Sequence, residues 1–277
     1  MTDVWREMIK SKEMIILIHT SKTMRPAAEK NIDMLDTPVL FEKALELATY
    51  SKSLSAADIQ KTMHVSEKLA VTTRELFAKW SSDLIHQRAA VDSFLGDIYS
   101  GMQVQDWSAA DREYAHKYMR ILSGLYGVLR PLDGISPYRL EMGYKLPDTR
   151  YRNLYDYWGT AIVDTLPSGT PIVDLSAVEY GKTVKKYVDS SLVTTPRFLT
   201  ISPKTGEPIF VVVHAKIARG AFASWMIRNR VDDTNRLKEF DELGYSYDAN
   251  MSTPAVPVFI CKDFGGIGLS VRLSEIV

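Results

Sequence analysis

The stretch Leu122–Gly143 reads Leu-Ser-Gly-Leu-Tyr-Gly-Val-Leu-Arg-Pro-Leu-Asp-Gly-Ile-Ser-Pro-Tyr-Arg-Leu-Glu-Met-Gly and constrains the fold more than any other part of the chain. It gathers four glycines, two prolines, two arginines and two tyrosines, with the acids Asp133 and Glu141 among them. Glycines at that density allow backbone to approach backbone or ligand closely, and prolines fix the exits. Arg130 and Arg139 then stand on a stiff, irregular scaffold from which a planar guanidinium can be aimed at a phosphate or carboxylate. Read locally, the periodic apolar positions that start at Ser108 stop at Ser123-Gly124, and a second short apolar segment follows to Leu129. The pattern predicts a helix, a glycine turn and a second short helix. In such a helix-hairpin-helix, the turn residues Gly124, Tyr126 and Gly127 leave amides free for a phosphate. Two helices merely packed through glycine is the plainer alternative.

Met14-Ile-Ile-Leu-Ile-His19 is a continuous apolar run rich in β-branched residues, as expected of a strand buried on both faces. Pro171–Leu175 is a second such run. Between them, Phe41 to Tyr118 reads mostly helical, with capping boxes at Ser55-Ala-Ala-Asp58 and Ser108-Ala-Ala-Asp111. Leu154–Leu166 and Glu179–Tyr187 read as helices. Phe198–Ile201 and Pro208–His214 flank Ser-Pro-Lys-Thr-Gly-Glu as a hairpin; a basic helix follows from Lys216, and Val256–Cys261 forms a last strand. No repeat or linker divides the chain, so its 277 residues are expected to form a single compact α/β domain with a mixed sheet and a helical insertion.

Charge excludes some functions. Lys plus Arg and Asp plus Glu both number 34, so any anion binding must come from a local patch. The single Cys261 rules out a disulfide within the chain, and five scattered histidines show no ligand spacing, so neither a metal nor another cofactor is expected. The Met14–Ile18 run is too short for a signal or membrane segment, which points to a cytoplasmic protein.

Lys22 follows the first strand, where open α/β sheets hold their ligands, beyond the carboxyl end. Glu179 and Lys182 follow the second in the equivalent place. Asp97 sits between two glycines in Phe94-Leu-Gly-Asp97-Ile-Tyr99-Ser-Gly101, and Lys216 and Arg219 share one face of the basic helix. Taken singly, each also fits a cap, a solvated lysine or a surface ion pair. Taken together, they predict one polar cleft.

These segments resemble the YaaA peroxide stress protein family. The similarity runs through Ser66-Glu-Lys68-Leu-Ala, Phe94-x-Gly-Asp-Ile-Tyr99, Leu122–Gly143, Tyr155-Asp-Tyr-Trp-Gly159, Glu179-Tyr-x-Lys182, Ala215-Lys-x-Ala-Arg-Gly220 and Phe240-Asp-Glu-Leu-Gly-Tyr245, leaving residues 1–13 and 251–277 outside. The resemblance implies a compact α/β domain with a large cationic cleft beside a helix-hairpin-helix. It also implies a role in oxidative stress through lower free iron and DNA protection, with binding to duplex or distorted DNA. It maps anion or DNA contacts onto Lys22, Lys68, Arg130, Arg139, Lys182, Lys216 and Arg219. Leu95 and Ile217 stand where family members carry lysines, which weakens phosphate-driven affinity. The alternative is an enzyme of this fold acting on a small anionic metabolite such as a nucleotide or amino acid. There Lys22, Arg130 and Arg139 bind the anion, and Asp97, Glu141, Glu179 and Lys182 complete the catalytic set.

Overall fold

The computed structural model describes residues 14–28 and 35–268. The run predicted as a buried strand is β1 (Ile15–His19), and the backbone of its sequence explains its position: with no polar face, it must sit mid-sheet. It is the middle strand of a five-stranded sheet ordered β3-β2-β1-β4-β5, where β2 is Met119–Ser123, β3 Gly127–Leu129, β4 Ile172–Asp174 and β5 Val193–Thr194. β1 runs parallel to both neighbours, with Ile18 opposite Ile121 and Leu17 opposite Asp174. β4 and β5 are also parallel, while β2 and β3 are antiparallel, so the sheet is mixed as expected.

The helical insertion holds α1 (Phe41–Ser53), α2 (Ala56–Met63), α3 (Glu67–Lys79), α4 (Asp97–Met102) and α5 (Ala109–Tyr118). Both capping boxes form: Ser55 and Ser108 accept from the amides of Asp58 and Asp111, whose carboxylates bond back to the cap amides. After the insertion come α6 (Leu154–Trp158), α7 (Val178–Lys185) and α8 (Val212–Arg228). A second sheet, ordered β7-β6-β9-β8, comprises β6 (Arg197–Ile201), β7 (Pro208–Ile209), β8 (Tyr245–Tyr247) and β9 (Val258–Cys261). α8 is buried almost all round between Ala215 and Ile227. It meets α4 backbone to backbone: a Cβ on Gly220 would collide with the Ile98 carbonyl, and one on Gly101 with that of Ile217.

The helix-hairpin-helix expectation is corrected. The helix ends at Tyr118, and the chain continues as the antiparallel pair β2 and β3, with Ile121 opposite Leu129 and Ser123 opposite Gly127. Residues 121–129 are all buried, and an apolar run without a polar face carries no period to distinguish helix from strand. Gly127 turns the corner at φ +69°, and a Cβ there would stand 2.8 Å from the Trp158 ring. A Cβ on Gly124 would strike the Leu140 carbonyl, and the Gly124 carbonyl accepts from Trp158 Nε1 at 3.0 Å. The second sequence strand is also displaced: the first strand reached after the insertion is β2, yet Pro171–Leu175 still supplies β4 at the side of β1. Only Pro208 and Ile209 of the 208–214 run are extended, because α8 begins at Val212.

Candidate functional site: a charged pocket and an adjoining groove

Parallel neighbours end on the same side, so the turns after β1 and β4 meet. They enclose a pocket of about 330 Å3, to which β1 contributes His19 and the turn residues through Lys22. The start of α4 adds Asp97, the loop after β3 adds Glu141, α7 adds Glu179 and α8 adds Lys216. Segments more than a hundred residues apart in the chain thus supply Lys22, Asp97, Glu141, Glu179 and Lys216 to one hollow. The structure brings these five residues together in one polar hollow. The hollow carries three carboxylates against two ammonium groups.

Lys22 Nζ lies 2.8 Å from Glu141 Oε2. Glu141 is buried; its other oxygen accepts from the Tyr144 hydroxyl and faces Arg139 Nη2 at 3.8 Å. Arg139 also donates from Nη1 to the Lys22 carbonyl at 3.3 Å, so it backs the pocket and fixes the turn. Lys216 Nζ is 3.9 Å from Asp97 Oδ2. Arg219 is not among the lining residues; it donates to the Ser176 carbonyl at 3.5 Å, and burial depresses its pKa.

Two groups in the pocket are unusual. His19 Nδ1 accepts the Ala177 amide at 3.1 Å, so the neutral ring carries its proton on Nε2. Burial first, then Arg219 and Lys216, push its pKa down to about 3, and the ring is neutral in ordinary buffers. Glu179 shifts the other way: burial raises its pKa, the Glu141 carboxylate adds to the rise, and Lys22 and Lys182 partly oppose it. Such opposed shifts in one hollow mark a candidate functional site.

Lys182, one turn further along α7, faces a second hollow of about 580 Å3 together with Arg152, Lys185 and Lys186. Tyr155 and Tyr187 line it, and Asp156 is its carboxylate. Lys185 also reaches the buried Asp174 at 2.8 Å. Glu179 lines the first hollow, and, after burial, its charge raises the pKa of Tyr155, which lines the second.

The remaining expected contacts are elsewhere. Lys68 is exposed on α3, outside both hollows. Gly124, Tyr126 and Gly127 are buried, and the Tyr126 hydroxyl accepts from Trp80 Nε1 at 2.9 Å and the Ser136 amide at 3.2 Å, so none of the three faces a ligand. Arg130 grips the fully buried Asp133 at 2.8 Å and reaches Asp36 at 3.4 Å, in a structural network. Burial raises the Asp133 pKa to about 6 despite that partner.

Asp36, His116 and Asp133 form the one group among the described residues close enough to hold a metal. His116 Nδ1 accepts the Leu132 amide at 3.1 Å, which puts the proton on Nε2, 2.9 Å from Asp36. The nitrogen that would have to ligate is therefore a donor, and Arg130 occupies the carboxylates. The carboxylates of Asp97, Glu141 and Glu179 do not converge to ligand distance.

His19, Arg152, Tyr155, Lys185 and Lys186 are site residues that local reading passed over. His19 was legible by the same rule as Lys22, being the last residue of β1. Lys185 and Lys186 follow Lys182 by three and four residues, the spacing of one helix face.

A sequence profile described as "Peroxide stress protein YaaA" matches residues 14–251. The chain belongs to this YaaA peroxide stress family. A UPF0246 protein of Salinispora tropica is 54% identical over 263 residues, covering 95% of this chain and 100% of its own length. A UPF0246 protein of Marinomonas sp. is 40% identical over 253 residues, 89% of this chain and 96% of that protein. A third, from Clostridium beijerinckii, is 35% identical over 254 residues, 89% and 97%. The YaaA-family match begins at β1 and reaches past β8, so it takes in every element that lines the two hollows. No helix among the described residues is long and apolar enough to cross a membrane.

Proposed function

We propose that this YaaA-family chain serves the peroxide stress response in the cytoplasm by holding DNA through its phosphate backbone along the α6–α7 groove. One observation carries this: Arg152, Lys182, Lys185 and Lys186 share a hollow with two tyrosines against the single carboxylate of Asp156. Such a surface contacts phosphates and stacks unpaired bases without reading sequence, which suits duplex or distorted DNA. The binding surface thereby moves from the glycine turn, where the amides are buried, to the face that carries Lys182. Fluorescence anisotropy with duplex and gapped oligonucleotides tests it. Affinity falls steeply with salt and little with sequence, and Lys182→Glu with Lys186→Glu flattens the salt slope by roughly one per lysine lost. Binding that ignores both substitutions rules the groove out.

A second function is favoured by the pocket itself, whose 330 Å3 suits a metabolite rather than a duplex. There the chain is an enzyme acting on a small anionic molecule, with Lys22, Lys216 and His19 Nε2–H holding the anion and Glu179 moving a proton. Thermal-shift screening with anionic metabolites tests it, and a Tm unmoved by all of them removes it.

A further inference from the structure

Lys216 Nζ lies 3.9 Å from Asp97 and its charge acts on the His19 ring. Lys22 is matched by Glu141 at 2.8 Å, and the Glu141 carboxylate acts on Glu179. Glu179 makes no hydrogen bond or ion pair among the described residues, although half-buried, and His19 spends only Nδ1 on the protein. An unpaired carboxylate and an unpaired N–H donor therefore belong to two residues that line one small hollow. Unmatched polar groups in such a place are costly unless a ligand meets them.

The sum of charges narrows the ligand. Asp97, Glu141 and Glu179 line the hollow against Lys22 and Lys216. A phosphate-rich molecule entering it would meet more carboxylates than ammonium groups. A molecule with one anionic and one cationic group satisfies both the unpaired donor and the unpaired carboxylate.

We propose that this pocket binds a small zwitterion of the amino-acid class, its carboxylate received by His19 Nε2–H and Lys216 and its ammonium by Glu179. This rests on the small-molecule function given above and narrows its substrate class from an anion to an amine-bearing carboxylate. The volume accommodates such a molecule, and Tyr99 and Tyr180 also line the hollow.

The test is calorimetric titration and thermal shift of the intact chain with each common L-amino acid. N-acetyl and amide derivatives of any binder follow, with succinate and AMP as anions lacking an ammonium group. A free amino acid raises Tm and gives saturable heat, and blocking either its amine or its carboxylate weakens binding about tenfold or more. Glu179→Gln weakens the free amino acid by a similar factor but leaves the N-acetyl form unaffected. If succinate or AMP binds and no amino acid does, the zwitterion is wrong while a small-anion function survives. If nothing binds, both fall.

Discussion

The glycine-rich segment 122–143 and the pocket beyond β1 and β4 are built from the same residue types and do opposite things. In the segment nearly every polar group already has a partner. Tyr126 accepts two donors, Arg130 closes on Asp133, and Trp158 caps the Gly124 carbonyl. In the pocket Glu179 and His19 Nε2 have no hydrogen-bond partner among the described residues. Arginines, tyrosines and glycines in a tight cluster thus signal close packing as readily as recognition. What separates the two is whether the neighbours use up the hydrogen bonds.

Substitutions can break that contrast or sharpen it. Arg130→Ala strands the buried Asp133 carboxylate and is expected to cost about 3–5 kcal/mol, read by urea denaturation. An effect under about 1 kcal/mol would mean that the network is solvated and the segment is less closed than its geometry implies.

Acid sensitivity comes next. His19 titrates near 6.5 when unfolded and about 3 when folded, so between those values the unfolded chain binds more protons. Its contribution is whole above pH 6.5 and is lost as the pH falls towards 3, amounting to about 5 kcal/mol at most. Asp133, raised to about 6, works in the opposite sense, because the folded state holds its proton first and gains stability as pH falls below that value. The comparison of wild type with His19→Gln isolates the histidine. Identical pH–stability curves for the two would show that the ring is not held neutral.

Tyr126→Phe leaves Trp80 Nε1 and the Ser136 amide buried without an acceptor, for a loss of about 2 kcal/mol. Glu179→Gln is the smallest. It removes a carboxylate that burial and Glu141 already disfavour, so stability changes by less than about 1 kcal/mol, and upwards. A large loss there would mean that Glu179 holds the fold together and belongs with Arg130 rather than with the pocket.

Much of the site was readable before the fold was known. Lys22 and Glu179 lie just past runs that could only be buried strands, and ligands gather at such ends. Asp97 was legible as a helix opening and Lys216 as a cation on a basic helix that begins four residues earlier, at Val212; Arg139 stood out in the glycine-rich segment itself. Lys68 and Arg130 show the opposite case. A cation in a characteristic motif says nothing of what lies opposite it: Arg130 has Asp133 three residues on, and Lys68 has only solvent. Residues 119–129 were misread for a related reason, since a fully buried strand and a buried helix present the same unbroken apolar run.

Local chemistry determined the two capping boxes, the core strands β1 and β4, the α/β character and the absence of any global field for a polyanion. Those follow from spacing, apolar content and charge, which are properties of neighbours in the chain. Tertiary structure alone decided that β4 lies beside β1, that Glu141 reaches across to Lys22, and that His19 is held neutral while Glu179 stays unpaired. Burial and pairing depend on residues far apart in sequence meeting in space, and no local pattern carries that information.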